Sequence, residues 1–235
     1  MKISDIEVTL IDAMGSDLSV VNAARVSFHK ISETNEFGDL KEGDVKLINY
    51  LAKHKHFSPF NHAFMTFRIK APIFVARQLV KHKFMPWNEV SRRYVDEEPE
   101  FYWPNKWRAK ADNVKQGSSD EPAEYMQKMQ WNGEDNLQSG EETTEDLVSW
   151  HLHQSVNWYS DMIRNGVSAE QARMILPQNM MTEWMWSGTL GAYADMLKLR
   201  LDPHTQYESR IVAEKVVERV RELFPVSINA LLENK

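Results

Sequence analysis

Between Arg77 and Arg93 the chain gathers side chains suited to holding an anion. Arg77, Lys81 and Lys83 are cations, Gln78 and His82 are polar, and Asn88, Glu89, Ser91, Arg92 and Arg93 follow closely. Helical spacing from Pro72 predicts that Val75, Ala76, Leu79 and Val80 face inward. Arg77 and Lys81, like Gln78 and His82, are four apart and would share an adjoining face. One reading is a solvated helix side whose last-turn cations, ending at Lys83, suit the helix dipole. The other is a buried polar stripe, which needs partners because unpaired buried charge is costly. A phosphate would supply them. Pro86 is expected to stop the helix, and Ser91 to Val95 to form a strand.

The elements around this stretch are read from period and punctuation. Glu7 to Asp12 is a short strand, and Met14 to Phe28 a turn and helix capped near Ser16 or Asp17. His29 to Gly43 is a loop. Asp44 to His54 is an amphipathic helix with Val45, Ile48, Leu51 and Ala52 inward. Met65, Phe67 and Ile69 alternate with Phe64, Thr66, Arg68 and Lys70 in a strand that leads into Pro72. Residues 105–146 read as an acidic surface excursion with a short helix near Ala123 to Gln130. Leu147 to Asn165 is a helix, Ser168 and Gln171 suggest a capping box opening a helix that contains Arg173, and Ser187 to Leu199 is a helix closed by Arg200. Tyr207 to Leu223 and Val226 to Leu232 complete the chain.

The chain has 235 residues, a net charge of −6 and 42% hydrophobic residues, which fits a single domain, 1–235, with a real core. Mild acidity argues against nucleic acid as a partner. The start Met1-Lys2-Ile3-Ser4-Asp5 lacks a signal peptide's apolar core, so cytoplasm is the expected address. Zero cysteines exclude disulfides, thiolate metal sites and a cysteine nucleophile. His54, His56 and His62 invite a zinc reading, but no carboxylate or thiol stands beside them, and no metal is expected. His151 and His153, two apart on a helix, point in different directions.

Lys81-His82-Lys83, seven residues, then Ser91 resembles the signature of the flavin-dependent thymidylate synthases, which reads Arg-His-Arg, seven residues, Ser. Arg77-Gln78, Asn88-Glu89, Arg93-Tyr94, Ala172-Arg173 with Leu176-Pro177, and Leu197 to Gln206 match the same family. The resemblance implies an α+β fold, a small, largely antiparallel sheet flanked by helices. It implies a homotetramer with active sites shared between subunits and bound FAD. The implied reaction is reductive methylation of dUMP, with methylenetetrahydrofolate as carbon donor and NADPH as reductant. The unrelated thymidylate synthases use a cysteine nucleophile, which this chain lacks.

Carried over position by position, Gln78, Lys81, Glu89, Ser91, Arg93, Arg173 and Arg200 hold the nucleotide. Arg200 holds the pyrimidine ring and aids ionisation at N3. Ser27, His56, Ser58, Lys81, His82, Lys83, Phe84, Glu89, Thr189 and Asp195 hold FAD. Lysine replaces arginine at both ends of the triplet, and Thr189, Gly191 and Asp195 stand where the family tends to have Asn, Arg and Asn. From the residues alone Ser27 reads as a helix-end hydrogen bond. Arg173 and Arg200 read equally well as ion-paired arginines. Ser91 has no general base beside it, which favours a ligand role over a nucleophile. Two rivals stand: a related flavin enzyme adding another one-carbon group, such as hydroxymethyl, and a catalytically silent nucleotide-binding homologue.

Overall fold

The computed structural model describes residues 1–95, 97–112, 117–123, 126–132 and 137–234. The chain begins with β1 (Lys2–Ile3), β2 (Glu7–Met14), α1 (Asp17–Arg25) and α2 (Glu42–Lys53). Then come β3 (Phe64–Pro72), α3 (Ile73–Leu79), β4 (Trp87–Glu89), β5 (Glu100–Phe101), β6 (Arg108–Lys110) and β7 (Ser118–Pro122). The hairpin strands β8 (Met126–Asn132) and β9 (Leu137–Thr143) lead into α4 (Thr144–Arg164) and α5 (Ala169–Ala172). The last elements are β10 (Met181–Thr189), α6 (Leu190–Arg200), α7 (Tyr207–Leu223) and α8 (Pro225–Glu233). They fall into two compact units: Met1–Asp5, Pro72–Phe74 and Val90–Thr182 in one, Ile6–Ala71, Val75–Glu89 and Glu183–Lys235 in the other.

The larger unit is built on a sheet of order β2-β3-β10-β4, in which β2 runs antiparallel to β3 and β4 antiparallel to β10. Alternation in β3 buries Met65, Phe67 and Ile69 completely, as their period demands. β10 buries Trp184 and Trp186 on one face, and Trp87 of β4 stacks on Trp184 with centroids 4.4 Å apart. Such a pair adds about 0.5 to 1.5 kcal/mol beyond area burial. Tyr193 of α6 packs edge-on to Trp186 and donates its hydroxyl to the Trp186 carbonyl at 2.8 Å. Burial pushes the Tyr193 phenol well above the usual range, so it stays a neutral donor.

Helix ends in this unit are tied by buried acids. Both carboxylate oxygens of Asp17 accept from the first N–H groups of α8, Val226 and Ser227, at 2.9 Å. Asp44, 1% exposed in α2, accepts from Arg25 and from Ser32. Burial pushes its carboxyl up, but the Ser32 and Arg25 hydrogen bonds and the charges of Arg25 and Lys41 hold it below the usual range.

In the other unit β1 pairs parallel with β5, and β6–β7 and β8–β9 are antiparallel pairs. α4 opens on a capping box: Thr143 Oγ1 accepts from the Asp146 N–H at 3.2 Å, and Asp146 accepts back from the Thr143 N–H at 3.1 Å. Phe101, Leu152 and Met180 form its core, with Ile73, Trp103, Val148, Val156 and Leu176 packed against them.

Several expectations are corrected. The helix after Pro72 is only seven residues, so Lys81, His82 and Lys83 lie beyond it and share no helical face with Arg77. Val80 is 39% exposed, not inward, and the helix ends well before Pro86. Ser91 to Val95 forms turns, and the strand is β4 just before it. The helix expected near Ala123 to Gln130 is instead the start of the β8–β9 hairpin, with 124–125 and the acidic 133–136 outside the described residues. Ser187 to Thr189 ends a strand, and the helix starts at Leu190. Ser168 makes no side-chain cap, and α5 ends at Ala172, leaving Arg173 in a 3-10 turn.

Candidate functional site

The turn after α3 places the Lys-His-Lys triplet. With the helix ended at Leu79, the His82 N–H donates to the Leu79 carbonyl at 3.1 Å, and Phe84 adopts φ of 61°. A bulky residue in the left-handed region costs about 1 to 3 kcal/mol. Phe84 is nevertheless 89% exposed. Lys81, His82, Lys83 and Phe84 line a cavity of about 350 Å³ together with Ala192 and Asp195 of α6.

Behind the cavity, Arg200 ends α6, where the helix dipole favours a cation. Its Nε donates to His82 Nε2 at 3.0 Å and its Nη2 to the Gln78 carbonyl at 3.3 Å. His82 is half-buried against Trp186, with centroids 6.3 Å apart. Burial first, and the Arg200 charge second, lower its pKa to about 4. His82 is therefore neutral at neutral pH. Because Nε2 accepts from Arg200, its proton sits on Nδ1. Burial also lowers the Arg200 pKa. Among the described residues no carboxylate pairs with this cation, which suits an anionic or carbonyl-bearing ligand.

Gln78 lies in a chain of side chains. Its Nε2 donates to Gln206 Oε1, its Oε1 accepts from Ser209 at 3.1 Å, and Gln206 Nε2 donates to Glu208 at 3.3 Å. Both oxygens of Glu89 accept from Arg77 Nη2, at 2.7 and 2.6 Å, and one accepts from Trp87 Nε1 at 3.1 Å. Thr189 caps α6 by accepting from the Ala192 N–H at 3.2 Å and donates to Asn61 at 2.8 Å. A Cβ at Gly191 would lie 2.6 Å from that Asn61 oxygen, so any larger residue there must displace Asn61. Ser27 is exposed in a 3-10 turn after α1, His56 stacks on Tyr50 with centroids 6.2 Å apart, and Ser58 is exposed at the start of a 3-10 turn.

In the other unit, Ser91 Oγ accepts from the Arg93 backbone at 3.3 Å and Nε at 3.2 Å, and Arg93 also lies 5.0 Å from the Tyr94 ring centroid. A hydroxyl accepting from a guanidinium is a positioned ligand group, not an activated nucleophile. Arg173 is exposed, its Nε held by the Glu170 carbonyl at 3.1 Å. Among the described residues no group of three or more His, Cys, Asp or Glu could hold a metal ion.

The structure thus joins His82, Arg200 and Gln78 in one cluster, and the triplet, Phe84 and Asp195 around one cavity. Sequence reasoning missed Glu208 and Ser209, which support Gln78, and Trp186, which shields His82. Glu208 had only its place in the first turn of a helix, and Ser209 had no signal.

A mixed fold with a four-stranded sheet, a cavity lined by two lysines and a neutral histidine, and a desolvated arginine behind them defines a nucleotide- or cofactor-binding enzyme. The chain belongs to the thymidylate synthase complementing protein family, Thy1, whose model matches residues 9–226. It is 35% identical over 232 residues to a flavin-dependent thymidylate synthase of Thermus thermophilus, covering 97% of this chain and 76% of that one. It is 37% identical over 228 residues to one of Ehrlichia ruminantium, covering 96% and 70%. Among solved structures it is similar to a UMP/dUMP methylase, PolB, of Streptomyces cacaoi bound with 5-Br dUMP. That match has a TM-score of 0.77 and 27% identity, covering 98% of this chain and 96% of that one.

Proposed function

We propose that the chain is a flavin-dependent thymidylate synthase. It moves one carbon from methylenetetrahydrofolate to C5 of dUMP and, with NADPH as reductant, yields dTMP. The observation that carries this reading is Arg200, a cation held by a neutral imidazole. Such a group stabilises negative charge developing on a pyrimidine ring.

The residues around the cavity fit FAD. The ammonium groups of Lys81 and Lys83 suit a diphosphate, neutral His82 is shielded against Trp186, and the exposed Phe84 ring offers a flat apolar face. Asp195 would accept from a hydroxyl or amine of the cofactor rather than meet its phosphates. Bound there, FAD supplies hydride and an electron sink. Ser27, His56, Ser58, Glu89 and Thr189 are assigned to FAD by the family pattern. Gln78, Lys81, Glu89, Ser91, Arg93 and Arg173 are assigned to the nucleotide, with Arg173 and Arg93 matching its phosphate charge.

We further propose that the whole chain serves one catalytic domain, that it assembles as a homotetramer sharing active sites, and that it works in the cytoplasm. Trp150 and Trp158, both exposed on α4, support assembly. Among the described residues no helix is long and apolar enough to cross a membrane.

A second reading, that UMP is also methylated, is favoured by the likeness to the UMP/dUMP methylase, which is also solved with 5-Br UMP. Turnover assays with dUMP and UMP separate the two. The first reading expects methylated product from dUMP in clear preference, and a flavin absorbance band in the purified protein. Equal turnover of UMP would favour the second, and no turnover of either refutes both.

A further inference from the structure

The side-chain chain around Gln78 has a direction, and one residue sets it. A carboxylate can only accept hydrogen bonds. Glu208, 5% exposed at the start of α7, accepts from Gln206 Nε2 at 3.3 Å, so the Gln206 amide must turn its nitrogen toward α7. Its Oε1 then faces Gln78 and can be satisfied only by a donor, the Gln78 NH₂. The Gln78 Oε1 is thereby aimed at Ser209, which is fully buried and donates at 3.1 Å. An amide alone has two orientations of similar shape. Here the carboxylate end, which only accepts, leaves one, and the Ser209 hydroxyl follows by donating to Gln78 Oε1. The second N–H of Gln78 Nε2 has no protein partner among the described residues, and Gln78 is half-buried beside Arg200.

We infer that Glu208 is a positioning residue for nucleotide recognition: through Gln206 it locks the Gln78 amide so that an N–H, not a carbonyl oxygen, is offered to the ligand. This rests on the thymidylate synthase reading, in which Gln78 belongs to the nucleotide site. The group recognised is an acceptor-only oxygen, borne either by the phosphate or by a ring carbonyl. A reversed amide would turn its own lone pairs on that oxygen and repel it.

The test is calorimetric titration of the flavin-loaded protein with dUMP, deoxyuridine and inorganic phosphate, with melting temperatures recorded alongside. In Glu208→Gln both amides lose their fixed sense, and dUMP affinity is expected to fall about tenfold with little change in melting temperature. The double exchange Gln206→Glu with Glu208→Gln restores an acceptor-only group facing Gln78, so affinity should return close to the parent. A purely structural carboxylate at 208 would not be replaced by one at 206. Parallel loss for deoxyuridine assigns the contact to a ring carbonyl, and loss for dUMP and phosphate alone assigns it to the phosphate. Unchanged dUMP affinity in Glu208→Gln, or a double exchange no better than Glu208→Gln, overturns the inference. A parent that binds no dUMP at all refutes the thymidylate synthase reading before any variant is made, and this inference with it.

Discussion

Arg200 donates its Nε–H to Nε2 of His82 across 3.0 Å, so a guanidinium leans on a neutral imidazole and not on a carboxylate. The arrangement leaves the cation's charge available to a ligand. It costs desolvation of both groups, which lowers both pKa values.

A pH dependence of stability follows. With its pKa lowered to about 4 in the folded state and 6.5 as the reference, His82 binds a proton more readily when unfolded. Its contribution is fully present above pH 6.5 and is lost as pH falls toward 4. Full conversion would be about 1.4 kcal/mol per unit, and half-exposure to solvent reduces the expected loss to about 1 to 2 kcal/mol. His82→Gln should flatten that part of the stability curve, measured by urea unfolding at several pH values. An unchanged slope would place His82 outside the titration.

Asp44→Ala removes the acceptor of Arg25 and Ser32 inside α2. Fully buried pairs lose about 3 to 5 kcal/mol on such a change, and since Arg25 keeps 27% exposure we expect about 2 to 3. Calorimetry should show the drop. Because the Asp44 pKa is lowered on folding, the parent's share is present above the unfolded pKa and lost as pH falls through the folded one. A variant as stable as the parent would refute the anchoring role.

The signature lysines are both exposed at the cavity. An ammonium meets an oxygen as a point charge, whereas a guanidinium forks across two. Lys81→Arg with Lys83→Arg is therefore expected to tighten FAD by about 1 kcal/mol, read by fluorescence titration. Equal or weaker binding would show the turn adapted to the lysine stems.

What was legible in the sequence depended on how cleanly burial alternated. β3 could be read because Phe64, Thr66, Arg68 and Lys70 separate its buried residues. β10 was missed because Met185 stands among the outward residues of a Trp-rich stretch, blurring its two-residue period. The length of α3 was misjudged because Pro86 is a strong stop, while the actual end at Leu79 comes from a turn that continues through Phe84. Asp44 carried no signal beyond opening a helix, since its partners Arg25 and Ser32 are distant in sequence. The triplet, Gln78 and Arg200 were visible as residue types, but their meeting is tertiary and no local pattern encodes it.

Arg200→Ala should leave FAD bound and remove most turnover. Deleting a donor that stabilises developing negative charge costs about 2.7 to 4 kcal/mol in the barrier. Turnover within a few-fold of the parent would deny Arg200 a catalytic role.

The central claim is tested most directly by mass spectrometry of the nucleotide formed from dUMP, NADPH and methylenetetrahydrofolate carrying carbon-13 in its methylene group. The account predicts dTMP with the label in the new methyl group, formed by the flavin-bearing parent and abolished in Arg200→Ala. A hydroxymethylated product, an unlabelled one, or unchanged dUMP would contradict it.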